Sequence, residues 1–184
     1  MTLVEGKEKV LMLLDEYSSG GEITTDEDIM NKMNRFFDIA QKDMANYKHI
    51  IRTVEIELAA GQSLFPLPGD CMRTFRIWRK GVLTNRYPIV SGSILTDGSE
   101  SGTLLLEYFA LPATINNDTP DDYEFEVSED AANCLPFFVA AQQLIVDLVV
   151  DYSALYGLYN AMRSALDVSL PSSGGGVRQT LYRR

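Results

Sequence analysis

The hydrophobic periodicity of this chain changes twice, and that change constrains its fold more than any other feature. Apolar side chains first recur every three or four positions, which is the spacing of one helix face; they are Ile29, Met33, Phe36, Phe37, Ala40, Met44 and Tyr47. From residue 53 the period becomes two, because Val54, Ile56 and Leu58 alternate with polar residues, as in a half-buried strand. Helical spacing returns after residue 128. The pattern predicts an α+β protein.

Two capping boxes indicate where the first helices begin. Thr2 with Glu5, and Thr25 with Asp28, have the three-residue spacing in which two side chains satisfy free backbone N–H groups. We predict helices over residues 3–17 and 26–48. Gly6 is expected to weaken the first helix by up to about 1 kcal/mol relative to alanine.

The middle of the chain predicts a small, mostly antiparallel sheet. Strands are expected over residues 53–58 and 72–79, with a turn at Lys80 and Gly81. Residues 61–68 predict a turn and an edge segment, because prolines cannot donate to a strand ladder. Residues 89–96 and 103–109 flank a glycine-containing loop and predict a hairpin. A polar connector follows over residues 111–126.

Two further helices complete the predicted fold. Ser128 is a candidate N-cap followed by two acids, and Pro136 should kink or restart the third helix, whose broad apolar face predicts a central position. The fourth helix contains Tyr152, Tyr156 and Tyr159, which we interpret as core residues. We predict an antiparallel bundle of about four helices (residues 1–48 and 128–170) with a small antiparallel sheet inserted at residues 49–112, all in one domain over residues 1–170.

Charge is distributed unevenly along the chain. The 184 residues carry a formal net charge of −10. Residues 171–184 hold three arginines and no acid, so the other 170 residues carry −13. An acidic body lacks the basic face with which proteins grip nucleic acid. It is compatible with DNA that slides past, because like charges prevent sticking.

The sequence predicts a protein made in the cytoplasm. No stretch reaches the roughly 18 uninterrupted apolar residues of a membrane span, since the richest one, residues 135–150, contains Pro136 and Asp147. Glu5 and Lys7 lie where a signal peptide would be apolar. Cys71 and Cys134 fit buried thiols better than a disulfide.

Few residues are suited to catalysis or to binding a metal or cofactor. His49 has no cysteine or serine motif beside it, so a junction position is preferred over a general base. Residues 97–102 (DGSESG) lack the ligand spacing of a calcium loop, and the glycines at 174–176 lack the lysine of a phosphate-binding loop. Glu55 and Glu57 fit a solvent-facing row better than a catalytic pair. We predict no catalytic residue, no metal and no cofactor.

A basic and aromatic cluster at residues 73–80 leaves two interpretations open. It combines Phe75 and Trp78 with cations, which are Arg73, Arg76, Arg79 and Lys80. Such a mixture can bind nucleic acid by stacking and charge. It also suits a polar strand face or a contact with an acidic neighbouring subunit, and the acidity of the rest of the chain favours this second interpretation.

The last fourteen residues have the composition of a binding peptide. Residues 171–176 (PSSGGG) predict a flexible linker, and fourteen extended residues reach about 45–50 Å. Leu181 and Tyr182 can anchor in a pocket while arginines pair with carboxylates; a frayed terminus is the alternative. The residues predicted to dock on a partner are Val177, Arg178, Gln179, Leu181, Tyr182, Arg183 and Arg184.

Four stretches, taken together, carry a resemblance to a known family. They are IMNKMNRFFDIAQKDMA (29–45), FPLPGDCMR (65–73), LLLEYFALP (104–112) and SEDAANCLPFFVAAQQLIVDLVVDYSALYGLYNAMRSALD (128–167). In their order and content they resemble bacteriophage head-to-tail connector proteins, or tail adaptors, which often carry a Leu-Pro-x-Asp turn like the one ending at Asp70. The resemblance covers about residues 25–170. The segment VRQTLYRR has no matching string in it.

The resemblance implies a non-enzymatic structural protein in the neck of a virion. It implies a ring, typically of twelve copies, that is made in the host cytoplasm and seated on the portal protein, with C-terminal tails in clefts between portal subunits. The far face would receive the next tail or nozzle protein, and DNA would pass through the lumen without sequence-specific binding. Three alternatives stay open: another neck or tail-completion protein, an enzyme of unknown type, and a nucleic-acid-binding regulator built on residues 73–80.

Overall fold

The computed structural model describes residues 1–15, 27–147 and 152–168. The helices are α1 (Leu3–Asp15), α2 (Glu27–Tyr47), α3 (Glu129–Ala132), α4 (Leu135–Asp147) and α5 (Ser153–Ala165). The strands are β1 (Ile50–Leu58), β2 (Leu64–Pro66), β3 (Cys71–Arg79), β4 (Val82–Leu83), β5 (Ile89–Val90), β6 (Ser93–Leu95) and β7 (Gly102–Ala110). The strands pair in antiparallel fashion, so the predicted α+β class is confirmed.

The predicted capping box fixes the start of α1. The Thr2 N–H donates to Glu5 Oε2 over 2.8 Å, and the Glu5 N–H donates to Thr2 Oγ1 over 3.4 Å. The bond from the Thr2 N–H holds the pKa of Glu5 below its ordinary value. The Leu3 N–H also donates to the Tyr123 carbonyl over 2.8 Å, which ties this end of α1 to the connector. The predicted end of the helix at residue 17 lies outside the described residues.

The apolar stripe of α2 packs on α4, as its periodicity predicts. The helix ends within one residue of the predicted bound, whereas its predicted start at residue 26 and the predicted cap Thr25 lie outside the described residues. Met33, Phe37, Ala40 and Met44 are fully buried. Because α4 also packs against α1 and α5, the helix predicted to be central is central.

The helix breaks just before Pro136, which lies in the first turn of α4, so the predicted restart is confirmed. α3 ends at Ala132, the Cys134 N–H donates to the Ala131 carbonyl over 3.1 Å, and α4 begins one residue before the proline. A proline at this position destabilises the helix little, because the first four N–H groups of a helix have no partner within it. In the part of the chain that the structure describes, no helix combines the length and hydropathy required to cross a bilayer.

The strands form two antiparallel sheets, whereas the sequence predicted one. The larger sheet has the strand order β1-β7-β3-β4 and the smaller one the order β2-β6-β5. Leu106 of β7 pairs with Val54 on one side and with Ile77 on the other. The buried residues of the two sheets form one core, separate from that of the helices; they are Leu58, Phe65, Ile77, Tyr87, Ile94, Leu104, Leu106, Tyr108 and Ala110.

The predicted hairpin between residues 89–96 and 103–109 is wrong. β5 instead pairs with β6 across Ser91 and Gly92, whose φ angles are 49° and 72°, and β6 pairs with β2. Two consecutive residues with positive φ form a tight turn whose twist suits antiparallel strands. This turn closes a hairpin within residues 89–95, and β7 pairs along its length with β1 and β3.

Three smaller predictions about the sheet are confirmed. Lys80 and Gly81 form the turn between β3 and β4, with φ angles of 49° and 74°. β2 lies at an edge of its sheet, as its prolines require. Glu55 and Glu57 are exposed, which supports the solvent-facing row over a catalytic pair.

Gly6 is enclosed by aromatic rings, which reverses the expectation for an alanine at this position. A Cβ there would lie 3.0 Å from Phe37 Cζ and 3.2 Å from Phe125 Cε2. Gly6→Ala should therefore lower the free energy of unfolding by about 1–2 kcal/mol, because overpacking outweighs the helix propensity of alanine. Urea denaturation followed by circular dichroism measures this change.

A chain that carries Phe37→Leu separates overpacking from helix propensity at Gly6. Phe37→Leu removes the nearer of the two rings that alanine would meet. In that chain, adding Gly6→Ala should lower the free energy of unfolding clearly less than it does in the wild-type chain. The interaction between the two substitutions in a double-mutant cycle reports the steric part. A Gly6→Ala protein more stable than wild type would contradict the prediction.

Candidate functional site

The seven residues predicted to dock on a partner lie outside the described residues; they are Val177, Arg178, Gln179, Leu181, Tyr182, Arg183 and Arg184. The structure therefore leaves their role a prediction. The last described residue is Val168, three positions after α5 ends. The surface nearest to the tail along the chain is that of α5.

Tyr159 anchors α5 to α2 and α4. The residue is 1% exposed, its ring centroid lies 5.2 Å from that of Phe138, and its hydroxyl donates to Asp43 Oδ2 over 2.6 Å. Burial, reinforced by the bond to Asp43, raises the pKa of Tyr159 far above its ordinary value, so the hydroxyl stays a donor. Arg163 Nη1 lies 3.2 Å from the same Asp43 oxygen, and its guanidinium lies 4.7 Å from the Tyr47 ring centroid. These contacts fix which face of α5 points inward.

The outward face of α5, called the α5 face below, carries no charge. Its most exposed large side chains include Tyr156 and Leu158, at 39% and 48% exposure. The exposed residues of the helix are Ser153, Ala154, Tyr156, Gly157, Leu158, Asn160, Ala161, Ser164 and Ala165. Surface helices of soluble proteins ordinarily present charged residues to water, whereas the exposed residues of α5 are uncharged and mostly small. The prediction that the tyrosines of this helix are core residues holds for Tyr159 and is wrong for Tyr152 and Tyr156, which are 43% and 39% exposed. The Tyr156 ring nevertheless lies 6.1 Å from that of Tyr159 and 6.4 Å from that of Phe138.

A cluster around Arg52 joins the larger sheet to the polar connector. Arg52 of β1 donates through Nη1 to Asp70 Oδ2 and through Nη2 to Glu126 Oε2. The Tyr108 hydroxyl of β7 donates to the two Asp70 oxygens over 3.1 and 3.2 Å. Burial, and then the bond to Asp70, raises the pKa of Tyr108. One guanidinium thus holds carboxylates from two segments of the chain.

Gln41 extends the Arg52 cluster into α2. The side chain is fully buried; its Oε1 accepts from the Glu126 N–H over 2.9 Å, and its Nε2 donates to the Tyr123 hydroxyl over 3.1 Å. The sequence drew attention to the turn at Asp70 and to Tyr108, but not to Arg52, Gln41 or Glu126. Their spacing along the chain has no local pattern, and only the fold brings them together.

Lys48 and Asp130 form an ion pair between the end of α2 and α3. The hydrogen bond from Lys48 Nζ lowers the pKa of Asp130 from 3.8 to about 2. Because the pKa is lower in the folded chain, the pair stabilises fully above about pH 4 and the contribution is lost as the pH falls toward 2. The Asp130 side chain is 48% exposed, so solvent limits the contribution to about 1 kcal/mol or less.

Replacing Lys48 should give a pH-dependent loss of stability. We expect Lys48→Met to lower the free energy of unfolding by up to about 1 kcal/mol at pH 7 and by a small fraction of that at pH 2. Denaturant titrations of both proteins across this pH range give the difference. Lys32→Met, at an exposed position of α2, is the control and should change little at any pH. A loss from Lys48→Met that is equal at both pH values would contradict the prediction.

The remaining residues considered for chemistry make structural contacts. His49 Nδ1 lies 3.2 Å from the Ala45 carbonyl, and its ring lies 4.2 Å from the Phe109 ring centroid, which supports the junction interpretation. Cys71 and Cys134 are free thiols, and burial raises the pKa of each. Cys134 is buried as predicted, whereas Cys71 is only half-buried.

The loop at residues 97–102 is held by hydrogen bonds and ion pairs within the chain. Asp97 Oδ1 accepts from the N–H and the hydroxyl of Ser99 over 2.9 and 2.7 Å. Glu100 accepts from the Tyr87 hydroxyl over 2.7 Å and pairs with Arg79 at 2.7 Å. The Tyr87 bond, and then the Arg79 bond, lowers the pKa of Glu100. Among the described residues no three candidate ligands lie together as a metal site would require.

Most of the basic and aromatic cluster lies on the outer face of the larger sheet, the face opposite its core. Three rows cross this face from β1 through β7 to β3: Ile51–Phe109–Arg73, Thr53–Glu107–Arg76 and Glu55–Leu105–Trp78. Arg79 pairs with Leu104 and lies on the core face instead. Arg73 and Arg76 cover the rings of Phe109 and Phe75 at 4.8 and 4.1 Å. These rings are therefore already engaged by arginines of the same chain.

Comparison with known proteins adds no relative: no family model matches the chain, and neither does any curated protein.

Proposed function

We propose that the chain is a structural head-to-tail connector of a bacteriophage virion. In this proposal its helices form an antiparallel bundle that carries the inserted sheets, and a ring of copies docks on the portal protein through residues 171–184. The ring attaches the downstream tail or nozzle protein and surrounds the passage for DNA. The protein acts by assembly and not by catalysis. The uncharged α5 face, directly before the tail in sequence, is the observation that carries the proposal.

The α5 face supports an assembly role because its exposure is costly without a partner. The chain as a whole has 26 acids, yet no charged side chain is exposed between Ser153 and Ala165. The inward contacts of Tyr159 and Arg163 hold the helix in one orientation, so the same uncharged residues stay exposed. An uncharged helix face that precedes a basic tail in the sequence matches a two-part interface, in which the helix packs on a partner and the tail supplies charge-assisted hydrogen bonds.

The connections within the body also suit a part that transmits force between two assemblies. The Arg52 cluster links β1 and β7 to the connector, and Gln41 links the connector to α2. Asp43 then links α2 to α5. These polar contacts join the sheets to the helix next to the tail, so the two cores are expected to move together.

The charge distribution supports the same proposal. An acidic body around a channel repels DNA phosphates and lets DNA slide, whereas the basic tail is attracted to acidic surfaces of a partner. Repeating one modest contact around a ring multiplies its strength, since each further contact forms at a high effective concentration.

The proposal is tested by mixing the purified chain with portal rings encoded by the same genome. We expect the full chain to bind and a chain ending at Val168 to bind at least about tenfold more weakly, because the tail supplies charge-assisted contacts. A full-length variant with Ser172→Gly and Ser173→Gly keeps the docking residues and serves as the control. Equal binding of the truncated and full chains would remove the tail from the mechanism, and no binding by either would overturn the proposal.

Two other functions remain as alternatives. A neck or tail-completion protein would bind another virion component through the α5 face and would not copurify with portal. A nucleic-acid-binding regulator is favoured only by the arginine and aromatic face at Arg73 and Arg76. Salt-dependent DNA binding by the isolated chain would support it.

A further inference from the structure

We propose that the outer face of the larger sheet is a contact between copies of this chain. In this contact the acidic row of one copy (Glu55 and Glu57 on β1) pairs with the basic row of a second copy (Arg73 on β3 and Lys80 at the β3–β4 turn). The proposed function calls for a ring, and this inference identifies a surface that can build it. The pairing itself is argued from the charges and contacts of the face.

Among the described residues, the charged side chains of the two rows form no ion pair within their own copy. Glu55 and Glu57 are exposed, as are Arg73 and Lys80. Glu57 accepts one hydrogen bond, from the Thr103 hydroxyl over 2.9 Å. Within the described residues none of these four side chains has an opposite charge within 4.0 Å. Both rows are therefore available to a partner.

Next to the Arg76–Glu107 pair, the face exposes apolar surface at Leu105. Leu105 on the central strand is 36% exposed and pairs with Glu55 on one side and with Trp78 on the other. A groove of about 430 Å³ opens here, lined by Glu55, Trp78, Lys80, Gly81, Thr103 and Leu105. Apolar surface bordered by charged side chains is a usual composition of a protein–protein contact.

The two rows lie on opposite sides of β7, so one copy can present them to two different neighbours. β1 is an edge strand with β7 as its one neighbour, and β3 lies on the far side of β7. A second copy can therefore place its basic row against the acidic row of the first. When each copy offers opposite rows to two neighbours the contact is heterologous, and it closes into a ring if the rotation permits.

A second copy fits this face better than nucleic acid does. Glu55, Glu57 and Glu107 lie on the same side of the sheet as the arginines, and their carboxylates repel phosphates. Arg76 pairs with Glu107 at 3.2 Å within the copy. A surface that carries both signs of charge in separate rows matches a partner with the same two rows in reverse.

Charge reversal on full-length protein tests the pairing. One variant carries Glu55→Lys and Glu57→Lys, the other Arg73→Glu and Lys80→Glu. Their net charges become −6 and −14, against −10 for wild type, so a weakening common to both cannot come from overall charge. Each variant alone should self-associate at least about tenfold more weakly than wild type, and an equimolar mixture should recover association, because unlike rows then meet.

Sedimentation velocity and native mass spectrometry over a concentration series up to millimolar give the association. Glu8→Lys with Asp122→Lys, at two exposed positions elsewhere, matches the charge change of the first variant and should associate at least as well as wild type. Circular dichroism verifies that each variant is folded. If a double variant does not fold, the single substitution Glu55→Lys replaces the first and Lys80→Glu replaces the second.

The outcomes separate this inference from the proposed function. Loss of association in each variant with recovery in the mixture supports the pairing, and native masses then show whether the species is a ring or a two-fold dimer. A dimer would keep the pairing and contradict the connector ring. The pairing would be overturned if the variants associate as wild type does, or if the wild-type chain stays monomeric at every concentration. It would also be overturned if the chain binds DNA and the basic-row variant loses that binding. Portal binding is measured separately with the truncated chain.

Discussion

Tyr159→Ala should lower the free energy of unfolding by about 4 kcal/mol, which is the loss expected when a large aromatic side chain is removed from a core. Tyr159 is the largest of the fully buried side chains, and it joins α5 to Phe138 of α4 and to Asp43 of α2. For a chain of this length the change corresponds to a decrease in Tm of about 8–16 °C. Thermal and urea denaturation followed by circular dichroism measure it.

Tyr159→Phe separates the ring from the hydroxyl. It keeps the contact with Phe138 and removes only the bond to Asp43, which retains Arg163 as a partner. We expect a loss of about 1 kcal/mol, the usual net contribution of one hydrogen bond. Equal losses from the two substitutions would show that the hydroxyl, and not the packing, holds α5 in place. A loss below about 1 kcal/mol for Tyr159→Ala would contradict the buried position.

Arg52→Met should lower the free energy of unfolding by about 2–3 kcal/mol. The substitution leaves Asp70 and Glu126 without the cation that both contact. Breaking a fully buried ion pair costs about 3–5 kcal/mol; the Arg52 side chain is 38% exposed, so water offsets part of this loss. Urea denaturation at pH 7 measures the change.

Two comparisons show whether the carboxylates cause the loss. Adding Asp70→Asn and Glu126→Gln to Arg52→Met removes both negative charges and should recover part of the stability, since the amides still accept hydrogen bonds. Arg86→Met removes an arginine whose side chain is 72% exposed and which lies 3.4 Å from Glu100, and it should change stability little. If Arg52→Met costs no more than Arg86→Met, the cluster does not hold the sheet to the connector.

The predictions connect stability to the proposed assembly. The α5 face can serve as a fixed docking surface only while Tyr159 and Arg163 prevent the helix from turning. If Tyr159→Phe preserves the fold but weakens portal binding by the full-length chain, the orientation of α5 contributes to the interface. If Tyr159→Phe binds as wild type does, packing against Phe138 is enough to orient the helix.

Sequence patterns predicted the elements better than their partners. The helix start at Thr2, the α2 stripe and the restart at Pro136 were all found as predicted. The pairing of residues 103–109 with 89–96 was wrong, because the short turn at Ser91 and Gly92 directs β6 to β2. The role of the C-terminal tail was predicted from its composition and lies outside the described residues.

Periodicity, caps and turn residues were enough to predict the α+β class, the start of α1, the buried stripe of α2 and the break before Pro136, because these signals depend on residues a few positions apart. The structure was needed to show that alanine at position 6 would meet Phe37 and Phe125, that Arg52 joins Asp70 to Glu126, and that unlike charges share the outer sheet face. These features depend on contacts between segments distant along the chain. Which segments meet is set by the packing of the whole core, and no local pattern encodes it.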